Sequence, residues 1–324
     1  MKYIVTGGAG FIGHNVVRHL ESMGHECFIL DSVTNYGFIN KTELEYLIQE
    51  RKKRMKAGIH YIDLREHKQV EDFFKSFAHN CSGVIHLASF PRQKVVQSNP
   101  LWGSDVMSTG LVNVLELTRK LKIPKFVYVS SSMVYGDFKN DVTEDYVCAP
   151  QGQYGIMKHM GEQLVKDYTR RGHFDHVIVR PSAVYGEYDV EDRVVSKFVL
   201  SALRNDVLKI NGAREVLDFT HVDDASMGIA LAATKQEAIN NTYNITHSDF
   251  NFHTLLDAAA MIIKLVGKGK IDIRDKDVDF PSRGRLSISA ARKDLGLNPQ
   301  IDIETGFQKY INWFRESPYW QRKI

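Results

Sequence analysis

The sequence predicts an α/β fold, a doubly wound parallel sheet with a smaller mixed lobe, and three observations carry that reading. A short apolar strand at residues 2–5 runs into the glycine-rich turn TGGAG and then directly into a helix. Brief apolar runs alternate with amphipathic stretches as far as residue 180, the order that a parallel sheet with helical crossovers requires. Beyond Gly186 the segments become shorter and mixed, with no linker or internal repeat where the texture changes. The expected division is residues 1–180 for the first domain, with segments from about 213 to 247 returning to it, and residues 181–324 mainly for the lobe.

Composition narrows the class. A chain of 324 residues with 43% hydrophobic and 25% charged residues can bury a large core. A net charge of +3 falls short of what nucleic-acid binding requires. No apolar run is long enough for a membrane span, and Met1 stands too close to the first strand for a secretory leader. Cys27, Cys81 and Cys148 are few, odd in number and widely spaced, which suggests reduced thiols and a cytoplasmic protein.

The opening turn has the form of a phosphate receiver. Gly7, Gly10 and Gly13 stand three apart: the early glycines let backbone N–H groups approach a pyrophosphate, and the last lets helix and strand pack closely. Phe11 and Ile12 begin the helix whose N-terminus would face that anion. The second strand, residues 26–30, ends at Asp31, where a carboxylate can accept both ribose hydroxyls of an adenosine and repel a 2′-phosphate; this favours NAD over NADP. Asn35 follows in a turn, and a helix is expected from about residue 41 to 56. Its basic run Arg51-Lys52-Lys53-Arg54 reads as a solvated face. After the third strand at 59–62, Asp63 and Leu64 are suited to an adenine edge, and after the fourth at 83–87, Leu87, Ala88 and Ser89 offer small residues close to a cofactor.

A long helix is expected from about residue 101 to 121 and a fifth strand at 125–130, running into SSSMVYG. Polar residues at the carboxyl end of a central parallel strand lie where such sheets bind ligands. A helix beginning near Gln151 carries Tyr154 and Lys158, which are i and i+4 and so project from one face. Oxidation of a secondary alcohol by nicotinamide needs a base for the hydroxyl proton, and free tyrosine is too weakly acidic to serve at neutral pH. A cation beside it and a positive nicotinamide ring can lower its pKa, and three units correspond to about 4 kcal/mol. Ser131 would orient the reacting hydroxyl, and Lys158 would also hold the nicotinamide ribose. The sixth strand, 176–180, leads into PSAVYG.

TGGAGFIG, Asp31, the strand leading to Asp63-Leu64, HLAS at 86–89, SSSMVYG, YGIMK and RPSAVYG together resemble the extended short-chain dehydrogenase/reductase superfamily, most closely its NAD-dependent nucleotide-sugar epimerases and dehydratases. The resemblance covers about residues 1–235. It implies a Rossmann-type fold, NAD as cofactor, Ser131, Tyr154 and Lys158 as catalytic residues, and a homodimer through a four-helix bundle of the helices starting near Leu101 and Gln151. In the epimerases of this family, NAD stays bound while a keto sugar forms and turns over, so the net reaction is redox-neutral. The family's 4,6-dehydratases carry an Asp-Glu pair after the catalytic Ser or Thr, and its uronate decarboxylases a glutamate at the second of those positions. Here Ser132-Met133 stands there, which disfavours both.

Other departures fall on the substrate side. Ala183 replaces the family's asparagine, and Leu217-Asp218 replaces its Arg-Asp pair, removing an arginine from the diphosphate. Arg193, Lys197, Arg214, Arg283 and Arg285 are the cations that could compensate, and Arg92 and Lys94 follow HLAS in the expected substrate loop. The candidate substrate contacts are thus Arg92, Ser132, Ala183, Arg193, Lys197, Arg214 and Arg285. Two readings stand: epimerisation of a nucleotide-diphospho sugar, and NAD-dependent oxidation or reduction of a sugar or small hydroxy-compound without a nucleotide.

Overall fold

The computed structural model describes every residue of the chain except Phe38, Asp249 and Phe250. In chain order the first half runs β1 (Lys2–Thr6), α1 (Phe11–Ser22), β2 (Glu26–Asp31), α2 (Lys41–Lys53), β3 (Ile59–Tyr61), α3 (His67–Phe77) and β4 (Gly83–His86). Next come α4 (Gln93–Ser98), α5 (Pro100–Ser104), a π-helical turn (Asp105–Thr109), α6 (Gly110–Lys120), β5 (Lys125–Val129), α7 (Gly152–Arg170) and β6 (Asp175–Pro181). The remainder is β7 (Val184–Tyr185), α8 (Val194–Leu203), β8 (Val207–Asn211), β9 (Val216–Asp218), β10 (Thr220–His221), α9 (Val222–Thr234), β11 (Asn241–Ile245), β12 (Phe252–Thr254), α10 (Leu255–Val266), β13 (Lys270–Arg274) and α11 (Ile303–Glu316).

Among the described residues the main sheet has seven strands in the order β11-β6-β5-β4-β1-β2-β3, all parallel. The order reverses between β1 and β4, so their carboxyl ends open a crevice at the switch point. Alternation along β1 explains why both faces are covered. Tyr3 and Val5 pack with Val16, Val17 and Leu20 of α1 and Ile229 and Ala233 of α9, while Ile4 packs with Phe73 of α3 and Leu111 of α6. Burying each such aliphatic side chain contributes about 2 kcal/mol.

The later segments divide. Helix α9 lies on α1 and β11 adds to the sheet edge beside β6. Strands β8 and β13 pair with each other, β9 with β12, and β7 with β10. Helices α8, α10 and α11 enclose a second core around Phe198, Ile262, Phe307 and Phe314. Among the described residues no helix is long and apolar enough to cross a membrane.

Three expectations need correction. Helix α2 stops at Lys53 because the Glu21 carboxylate accepts the N–H groups of Lys56, at 2.9 Å, and Ala57, at 2.7 Å, so those residues leave the helical ladder. The long helix at residues 100–120 contains a π turn at Asp105–Thr109. A helix, α4, begins at Gln93 within the segment expected to be a substrate loop. The third correction has a companion in α3, an amphipathic helix with Val70, Phe73 and Phe74 buried, which went unread after the third strand.

Candidate active site

A cleft of about 980 Å³ runs along the carboxyl ends of the sheet between the sheet and the lobe. Every expected cofactor residue lines it: Gly7, Gly10, Phe11, Ile12 and Gly13 in the turn, Asp31 and Asn35 after β2, Asp63 and Leu64 after β3, and Leu87, Ala88 and Ser89 after β4. The turn leaves no room for side chains. Gly7 has φ +73°, and a Cβ there would meet the Ala88 nitrogen at 2.5 Å; a Cβ on Gly13 would meet the Gly7 carbonyl oxygen at 2.1 Å. Ala9 N–H donates to Asp31 Oδ2 at 2.9 Å and Val33 N–H to Oδ1 at 2.8 Å, fixing the carboxylate beside the turn. Burial raises the Asp31 carboxyl above its ordinary value, opposed by those N–H groups and by the Arg51 charge. A bare glycine turn at a helix N-terminus, with a carboxylate at the next strand end, fits the pyrophosphate and adenosine ribose of NAD. Asp63 is already committed, since Arg65 Nη2 donates to its Oδ2 at 2.8 Å, which lowers its pKa.

At the centre, Ser131, Tyr154 and Lys158 line the same wall. Ser131 ends the strand run and caps a 3₁₀ turn (Ser132–Tyr135), accepting from Met133 N–H at 3.2 Å. Lys158 Nζ lies 5.9 Å from the Tyr154 ring centroid and donates to the Val129 carbonyl at 2.8 Å. Burial lowers the lysine to about 7, with the Glu162 charge opposing. Burial also raises the Tyr154 phenol, while the Arg193 charge and the Ser131 hydroxyl pull it back. Glu162 is wholly buried one turn beyond Lys158, accepting from Ser130 Oγ at 2.6 Å and from Arg180 Nε at 2.9 Å and Nη2 at 2.6 Å. This pair locks α7 against β5 and β6 and so fixes the spacing between Ser131 and Lys158.

The substrate side departs further from expectation. Arg92, Ser132, Ala183, Arg193 and Lys197 line the cleft, but Arg214 and Arg285 do not. Arg214 is exposed at the tip of a tight turn closed by Glu215 N–H to the Gly212 carbonyl at 2.9 Å. Arg285 is drawn to Asp141, to which its Nη2 donates at 2.6 Å. Ser132 spends its hydroxyl on Ser182 Oγ at 3.0 Å. Most cleft cations are neutralised in place: Arg92 and Lys197 by Asp192, Arg193 by Asp189 at 3.6 Å, Lys94 by Asp277 and Lys276 by Glu215 at 2.9 Å. Arg283 differs. It lines the cleft, burial lowers it to about 10, and no hydrogen bond or ion pair joins it to a described residue.

Sequence reasoning missed Arg51, which is only 4% exposed and lines the cleft. Its signal was present: Glu43, Leu47 and Arg51 are i, i+4 and i+8, and all three are buried on one helix face. Asp189, 2% exposed on the cleft wall, carried no such pattern.

A model of the NAD dependent epimerase/dehydratase family matches residues 3–246. A putative UDP-glucose 4-epimerase of Methanocaldococcus jannaschii is 30% identical over 326 residues, 97% of this chain and 98% of that protein. The UDP-glucuronate 4-epimerase of Thermodesulfobacterium geofontis is 28% identical over 97% of this chain and 96% of its own length. Among solved structures, the UDP-glucuronic acid 4-epimerase from Bacillus cereus, in complex with UDP-glucuronic acid and NAD, shares the fold with a TM-score of 0.87 at 24% identity, covering 97% of this chain and 98% of that one. A family model spanning most of the chain and relatives alike along its whole length agree with the glycine turn and the strand-end carboxylate: this chain belongs to the NAD-dependent epimerase/dehydratase family.

Proposed function

We propose that the chain epimerises a nucleotide-diphospho sugar through a transient keto sugar. The observation that carries this reading is the wall formed by Ser131, Tyr154 and Lys158, with Ser132-Met133 beside it and hence no acid at the two positions where the family's dehydratases and decarboxylases carry one. When bound, NAD would supply a hydride acceptor for the oxidation and a hydride donor for the return. Ser131 holds the reacting hydroxyl, and Tyr154 takes its proton. Lys158 keeps the nicotinamide ribose and, when charged, stabilises the tyrosinate. After the keto sugar has turned, Tyr154 returns its proton to the oxygen as the hydride is returned to the opposite face of the carbonyl carbon, so the enzyme is left unchanged and no external oxidant is consumed.

Arg283 is the proposed diphosphate ligand, substituting for the arginine absent at Leu217. Relatives described as UDP-sugar 4-epimerases support the nucleotide-sugar class. The loss of polar groups at Ala183 and Leu217 favours a second reading, oxidation or reduction of a hydroxy-compound without a nucleotide. We also propose a homodimer through the helical run at 100–120 and α7, whose Val112 and Ile156 are exposed; sedimentation of the purified chain as a monomer would remove it. The functional test is incubation with UDP-, GDP- and dTDP-sugars without added cofactor. Product epimer with no net NADH supports the proposal, whereas strict dependence on external NAD with accumulating NADH overturns it.

A further inference from the structure

The basic run on α2 splits in the structure. Lys52 and Lys53 are exposed, whereas Arg51 turns inward and Arg54 stacks over the Tyr188 ring at 4.3 Å. Arg51 bridges two pieces of backbone. Its Nη1 donates to the Ala9 carbonyl at 3.2 Å, inside the glycine turn, and its Nε and Nη2 donate to the Tyr188 carbonyl at 3.2 and 2.7 Å. Since Ala9 N–H is held by Asp31, Ala9 is gripped from both sides.

Tyr188 belongs to a strap, residues 186–193, that leaves β7 and contributes Asp189, Val190 and Arg193 to the cleft wall. Its φ is +69°, a left-handed conformation that an aromatic residue adopts only where its surroundings over-determine it. Those surroundings are evident. The ring stands edge-on to His14 of α1 at 5.7 Å and tilts against Trp313 of α11 at 5.3 Å. A second tie joins the same elements, Glu191 N–H donating to Glu43 Oε1 of α2 at 2.7 Å. Beside them Asp189 Oδ2 is buried with no hydrogen bond among the described residues, facing the Arg51 and Arg193 charges.

We propose that Arg51 is a positioning residue that clasps this strap onto the glycine turn and so keeps NAD resident in the cleft. A guanidinium suits the task because its fixed planar fork spreads its donors, Nη1 reaching one carbonyl while Nε and Nη2 reach the other, whereas an ammonium offers a single nitrogen for both. The inference rests on NAD as cofactor and not on the identity of the sugar.

The test loads the purified chain with labelled NAD and follows its release into excess unlabelled NAD, with no sugar present, so its outcome is independent of the epimerase reading. Arg51→Lys, which keeps the charge and loses the bridge, should release NAD about tenfold faster, the equivalent of one lost hydrogen bond. Amide hydrogen exchange should rise in residues 187–193 and not in the strands of the main sheet. Should that variant fail to fold, Arg54→Met removes the cation stacked on the Tyr188 ring of the strap and should speed release about threefold. A folded Arg51→Lys that releases NAD at the wild-type rate overturns the proposal. So does unchanged release in Arg54→Met where that variant stands in, or faster exchange spread through the whole sheet.

Discussion

The two walls of the cleft are built by different means. On the cofactor side the contacts are backbone: a turn in which a Cβ at Gly7 or Gly13 would collide with main-chain atoms, and a carboxylate held by two main-chain N–H groups. On the proposed substrate side the wall carries long charged side chains, mostly neutralised by neighbours, on loops and helix starts: Arg92 before α4, Arg193 before α8 and Lys276 after β13. Backbone recognition cannot shift to another position without losing the turn. A guanidinium can be lost at one position and supplied from another, as we propose for Arg283 in place of the arginine expected at residue 217.

That contrast sets the order of expected effects. Removing the phenol should be largest: Tyr154→Phe is expected to cut turnover about 10³-fold while leaving bound NAD in place, checked by kcat and by the NAD released on denaturation. Loss of NAD together with activity would mean that the catalytic wall and the cofactor side are not separable. Arg283→Met should weaken UDP binding about 10- to 100-fold by calorimetry, with NAD retention unchanged, as one charge-assisted contact would give. Unchanged UDP affinity would return the diphosphate to another cation.

The pH dependence of stability probes the junction between the sides. Burial holds Lys158 at about 7 in the NAD-free protein, below its ordinary value. Between about pH 7 and the ordinary lysine value of roughly 10.4 the unfolded chain therefore binds more protons than the folded one, and this group makes stability rise with pH by at most about 1.4 kcal/mol per unit. Denaturant titrations of Lys158→Met should be flatter than those of the wild type across that window. The smallest effect is expected at Ala183, whose φ of +41° is one that asparagine tolerates better than alanine. Ala183→Asn should gain about 0.5 kcal/mol in thermal stability and restore an amide to the substrate side.

The same contrast explains what the sequence disclosed. Apart from α3 and α4, the strands and helices to β6 follow from apolar periodicity, and the glycine turn, Asp31, Ser131, Tyr154 and Lys158 are legible because each sits at a fixed offset from a strand end or helix start. Arg214 and Arg285 misled because charge alone does not say which cation a neighbouring aspartate or a turn tip will claim. Arg51 was hidden in a basic run whose members face different ways, and only the period through Glu43 and Leu47 separates it from Lys52 and Lys53. Helix α4 was hidden by the Pro-Arg segment just before it.

The most direct test of the redox-neutral account is rapid mixing of the NAD-loaded chain with its nucleotide sugar while the reduced-nicotinamide absorbance is recorded. The account predicts a transient signal no larger than one equivalent per chain, which decays as the epimer appears. A signal that persists, and that grows only as external NAD is supplied, would contradict it.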